Sequence, residues 1–133
     1  MATVNTKYTK TEGRNGFTSY HSLFDGANDH DAAVVVDLSA DGAEGHTNSI
    51  TVQKVKVLCT AGIDCTLEFD ADTDEDFATT ILGSIAWYEV DFTEFGMSGA
   101  QASAAGATGD IVVTTTSAAS ADELIILIWW RSS

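Results

Sequence analysis

The residues of this chain that could do chemistry are mostly carboxylates, with three histidines and two cysteines. Asp70-Ala71-Asp72-Thr73-Asp74-Glu75-Asp76 places acids at alternate positions, as a calcium loop begins. An EF-hand loop also needs Gly at its sixth position and a bidentate Glu at its twelfth. Glu75 and Ile81 stand there instead, and the flanks read as strands. The run therefore reads as a solvated acidic turn with no obligatory metal, able at most to bind a divalent ion weakly. Asp25 and Asn28-Asp29-His30-Asp31 bring oxygen and nitrogen ligands close together, but His21 and His46 fall elsewhere, so this group reads as turn residues. Cys59 and Cys65 match no zinc spacing. A Ser/His/Asp triad converges only in space. No nucleophile elbow, P-loop, dinucleotide or zinc-protease motif is present. The expectation is a non-enzyme with no catalytic residues, no cofactor and no metal.

What stands out is charge. The 133 residues hold 20 acids against 6 bases, a formal net of −14. Such a surface repels nucleic acid and anionic membranes, so neither is an expected partner. The distribution is uneven. Residues 1–14 carry Lys7, Lys10 and Arg14 against Glu12, whereas the remainder holds 3 bases and 19 acids. This predicts an extended basic N-terminal arm over 1–14 and one β domain over 15–133. The arm is Thr-rich and poor in core residues. It reads either as a frayed end or as an arm that docks on an acidic partner, and the alternation Val4, Thr6, Tyr8 permits an edge strand. The start has no signal-like segment and no run spans a bilayer, which points to synthesis in the cytoplasm.

The elements that must position these groups are strands. Phe17 to Phe24, Ala33 to Leu38, Ile50 to Cys59, Ile63 to Phe69, Ile85 to Phe92, Ile111 to Thr116 and Leu124 to Trp130 are β-rich runs, separated by Gly- and Asx-containing turns. No helical apolar stripe is sustained. The expected fold is all-β: an antiparallel sandwich of about eight strands.

The last run is the most informative, being apolar at seven consecutive positions from Leu124 to Trp130. A strand with one wet face alternates; this one must be covered twice. The second cover is either the domain's own interior or another chain. Trp129 and Trp130 point to opposite faces, and large aromatics anchor interfaces.

One register follows from the pattern. Val55, Val57 and Cys59 precede a Gly, and Cys65, Leu67 and Phe69 follow it, all odd-numbered. A hairpin with the loop Ala61-Gly62-Ile63 would set Cys59 opposite Cys65, as two buried thiols or as a disulfide. Ile50 and Val52 are even-numbered, and a β-bulge near Gln53 would reconcile them with Val55. Alternatively, Ile50 and Val52 pack under a loop. The small-residue stretch from Gly96 to Gly109 reads as a long loop, either free or ordered by a partner.

Asp25-Gly26, Asp37-Leu38-Ser39-Ala40, Leu67-Glu68-Phe69-Asp70 and Gly109-Asp110-Ile111-Val112-Val113-Thr114-Thr115-Thr116, followed by a final apolar strand, resemble small virion proteins of marine tailed phages. These include capsid decoration, or cement, proteins with a jelly-roll-like β-sandwich. The resemblance implies a non-enzymatic protein on the exterior of an icosahedral virion, bound to the major capsid protein and self-associated. A homotrimer is the expected form, since closed symmetry is the norm and shells offer three-fold positions. Lys7, Lys10, Arg14, Trp129 and Trp130 are the candidate partner-binding residues. The alternative is a glycan-binding module of a phage fibre or tail tip, in which Trp87, Tyr88, Trp129 and Trp130 would stack on sugars.

Overall fold

A computed structural model describes residues 4–27, 29–38, 50–59, 63–81, 87–93, 99–101, 106, 108–116 and 118–132. The described chain is nearly all β, in two antiparallel sheets packed face to face. The strands are β1 (Val4–Glu12), β2 (Asn15–Asp25), β3 (Ala33–Val36), β4 (Ile50–Cys59), β5 (Asp64–Phe69), β6 (Glu75–Ile81), β7 (Trp87–Asp91), β8 (Ala100–Gln101), β9 (Ile111–Thr116) and β10 (Ser120–Ser132). No described helix is long and apolar enough to cross a membrane.

The larger sheet runs β1-β2-β10-β4-β7, with β8 paired to the start of β4, and the smaller runs β3-β9-β5-β6. Setting β1 and β8 aside, eight strands remain in the orders 2-10-4-7 and 3-9-5-6. Most consecutive strands therefore lie in opposite sheets, the winding of a jelly roll. The core lies between the sheets. Tyr20, Val52, Val55, Val57, Leu124, Ile126, Ile128 and Trp130 fill it from one side; Val35, Cys65, Leu67, Phe69, Ile111 and Val113 fill it from the other. Alternation drives this: every second residue of β2, β5 and β10 is buried.

This winding overturns the expected hairpin. β4 and β5 are in different sheets and do not pair; β5 pairs instead with β6 and β9. The odd-numbered alternation is real, but it serves equally two strands that face the same core from opposite sheets. Cys59 and Cys65 are both buried and unbonded. Of the proposed loop Ala61-Gly62-Ile63, Ile63 is buried in the core, while residues 61 and 62 lie outside the described residues, as does most of the 96–109 stretch.

The bulge is where the pattern put it. Trp129 pairs with Lys54 and Trp130 with Val52, leaving Gln53 as the extra residue on β4. Ile50 and Val52 are thereby buried with Val55 and Val57.

Residues 4–12 form an edge strand, not a detached arm. β1 pairs with β2 from Val4↔Leu23 to Glu12↔Asn15. Gly13 turns the chain with φ +60°, the glycine-first pattern of a two-residue II′ hairpin. β1 also adds hydrogen bonds to buried hydroxyls of the core. Thr18 and Ser22 on β2 are fully buried, and a buried hydroxyl without a partner is costly. Thr9 Oγ1 meets Thr18 Oγ1 at 3.2 Å, and Ser22 Oγ donates to Asn5 Oδ1 at 2.8 Å.

Candidate functional site

Four groups of side chains can be built from the sequence's chemistry. The first is a serine–histidine pair. Ser22 Oγ lies 2.7 Å from His30 Nε2. The hydroxyl proton is already donated to Asn5, so the imidazole must be the donor here. A general base must accept that proton, and Ser22 has no exposure to a substrate. His30 is instead a satisfied core residue, packed against Tyr20 and Phe24. Burial holds its pKa below the usual imidazole value, with Asp29 pulling the other way. Asp29 Oδ1 accepts from Thr115 Oγ1 and from the Ala118 N–H, which clamps this loop to β9.

The acidic run is the second. Its carboxylates are held separately. Asp70 Oδ2 accepts from Thr108 Oγ1 at 2.8 Å, and Asp74 Oδ1 accepts from the Ala71 N–H at 3.2 Å. The Asp72 carboxylate packs on Gly106, and Asp76 hydrogen-bonds Glu68. Burial pushes the Glu68 carboxyl up; the Thr114 hydroxyl opposes this, and the charges of Asp76 and Asp74 add to it. Among the described residues, no three His, Cys, Asp or Glu side chains are grouped to hold a metal.

The thiols are the third. Burial, with the neighbouring Cys59 second, pushes Cys65 up to about 12. Burial and then Asp122 push Cys59 up as well. Neither is an activated nucleophile.

The fourth group is open to solvent: the outer face of the larger sheet. Pairing registers lay its side chains out in rows. One row reads Lys10, Phe17, Trp129, Lys54, Asp91, and the next reads Tyr8, Ser19, Leu127, Lys56, Glu89. Below these come Thr6, His21, Ile125 and Leu58. The Phe17 ring meets Trp129 at 5.1 Å from the β2 side, and Lys54 Nζ sits 5.2 Å over the indole from the β4 side. Lys54 also pairs with Glu89 at 3.6 Å, and His21 meets Glu123 at 3.3 Å. A groove of about 290 Å³ opens beside Trp129 and Phe17, edged by Lys10, Glu12, Asn15 and Gln53.

The candidate partner-binding residues thus separate. Trp130 is 1% exposed, with its indole N–H donated to Thr18 Oγ1 at 3.1 Å, so it belongs to the core and meets no partner. Trp129 is half-buried on the outer face, between Phe17 and Lys54, with Lys10 one strand beyond Phe17. Lys7 and Arg14 are exposed along β1 and its turn. Sequence reasoning missed Phe17, Leu127, Lys54 and Lys56 as members of one surface. The signal was present in the unalternating terminal run, but the neighbours on that face depend on strand order.

No protein-family model matches this chain, and no curated protein and no solved structure matches it.

Proposed function

We propose that this chain is a non-enzymatic structural protein of a tailed-phage virion, a decoration protein that binds the outside of an icosahedral capsid and strengthens it. The observation that carries the reading is β1. It is a basic, Thr-rich edge strand on a strongly acidic sandwich, with Lys7, Tyr8 and Lys10 exposed and Tyr8 at 59%. Its one described neighbour is β2, so its second backbone edge can add to a strand of the major capsid protein. A ligand that binds only the assembled shell stabilises assembly by mass action. The jelly-roll order supports a virion role only by analogy, since lectins share it. The glycan reading is weaker. Trp130 is in the core, and Trp129 is already engaged by Phe17 and Lys54.

The test is co-sedimentation of the purified chain with expanded heads assembled from the major capsid protein of the same phage. Binding is expected near a fixed ratio to the shell protein. Lys7→Glu with Arg14→Glu should weaken it and leave the melting temperature nearly unchanged. Equal binding by the double variant would remove β1 from the contact. No binding to any head, with retention on a glycan surface, would replace this reading by the lectin one.

A further inference from the structure

The two sheets differ in what they show to water. On the smaller sheet, Asp64, Thr66 and Glu68 alternate outward from β5, the pattern of a solvated face. The larger sheet shows Phe17, Leu58, Ile125, Leu127 and Trp129, all half-buried, and among the described residues no strand packs over them. This face also departs from the charge of the chain. Its rows from Arg131 to Ile125 carry the bases Lys10, Lys54, Lys56 and Arg131 and the acids Glu12, Glu89 and Asp91. Taken from the six bases and twenty acids of the whole chain, they leave two bases against seventeen acids elsewhere. Two copies of so acidic a molecule repel one another everywhere but here.

The rows are also self-complementary. β10 is the middle strand of β1-β2-β10-β4-β7. A two-fold axis along β10, between two stacked sheets, lays β1 of one copy over β7 of the other and β2 over β4. Lys10 then faces Asp91, Phe17 faces Lys54, and Trp129 faces Trp129. In the next row Tyr8 faces Glu89, Ser19 faces Lys56, and Leu127 faces Leu127. In the Trp129 row charge meets opposite charge at both edges and a cation meets a ring between them; on the axis Trp129 and Leu127 meet their twins, and Arg131, exposed near the end of the strand, also meets its own.

We propose that the outer face of the larger sheet is an interface on which a second copy of this chain docks, as a two-fold dimer centred on Leu127 and Trp129. Five strands about 4.8 Å apart and four rows about 6.8 Å apart give roughly 650 Å² per copy. The pair then buries roughly 1,300 Å², within the range of specific interfaces. Aligned sheets cross at about 30°, which keeps the central rows in register and leaves the edges room to adjust. The pairing does not depend on the shell-binding role, and it uses neither Lys7 nor Arg14.

The experiment is sedimentation equilibrium on the full chain without shells. The expected mass is twice the 14.0 kDa of one chain. Leu127→Lys sets two ammonium groups against each other on the axis and should raise the dimer dissociation constant at least about a hundredfold. Its folding is checked by circular dichroism. Lys10→Glu and Asp91→Lys should each weaken the dimer, and the two together should recover much of the loss, which a folding defect would not do. Leu127→Cys should couple to its twin through a short bis-maleimide, whereas Thr66→Cys on the smaller sheet should not. A monomer at high micromolar concentration overturns the proposal. So does a trimer, or a dimer indifferent to Leu127→Lys and to the charge exchange.

Discussion

Gly16→Ala tests how the terminal strand is locked into the core. Gly16 lies on β2 opposite Trp130 of β10. A Cβ at Gly16 would stand 2.2 Å from Cε2 and Cζ2 of the indole and 2.5 Å from Cη2. Ordinary carbon contacts are about 3.5–4.0 Å, so the ring or the strand must shift by more than an ångström. The ring has nowhere to go: Trp130 is fully packed, and its N–H is tied to Thr18 Oγ1. Overpacking costs about 1–3 kcal/mol, and leaving the buried indole N–H unpaired costs about 1–3 more. The expected loss is therefore about 2–6 kcal/mol. Gly13→Ala is the control. Gly13 has φ +60° and nothing within 4 Å of its Cβ direction, so the cost there is backbone strain alone, about 1–2 kcal/mol. Trp130→Leu should cost several kcal/mol by opening a cavity, about the 3–5 of a large aromatic truncation at most. Gly16→Ala should then add almost nothing to it, a coupling of about 2 kcal/mol or more. Urea unfolding followed by tryptophan fluorescence and circular dichroism measures all four variants. If Gly16→Ala costs no more than Gly13→Ala, or simply adds to Trp130→Leu, the steric account is wrong.

Protonation of His30 gives a second expectation. Its folded pKa lies below the unfolded value of 6.5, so its contribution is present above that pH and is lost as pH falls through the folded pKa. The urea midpoint of the wild type should drop relative to His30→Gln below about pH 6.5; parallel curves from neutral pH to pH 5 would refute this. Both cysteines should resist Ellman's reagent in the folded protein and react in urea, since burial keeps both thiols protonated; a fast native reaction at Cys59 would contradict that. Millimolar calcium should leave the melting temperature nearly unchanged, because Asp70, Asp72 and Asp74 are each engaged separately; a large rise reversed by chelator would show a real site.

Some of this protein is written locally, and some is not. β-rich runs located β4, β5, β9 and most of β2 and β10, and alternation within β5 assigned its faces, because a residue's choice of face depends only on its neighbours along the strand. The bulge at Gln53 was legible for the same reason: a change of parity in one strand has few structural solutions. The all-β class followed from these runs. β6 was hidden behind the acidic run, whose carboxylates mask a strand that begins at Glu75. Pairing was beyond reach. Cys59 and Cys65 have the same parity whether their strands pair or face each other across a core, and only long-range winding sets them in opposite sheets. Trp129 and Trp130 divide in the same way. The sequence alone determined that they point apart and that the last strand is apolar on both faces. Tertiary structure decided that Trp130 enters the core and Trp129 the open face. The physical reason is that burial belongs to a surface formed by several strands. Phe17, Trp129 and Lys54 come from three of them and become neighbours only when β10 inserts between β2 and β4.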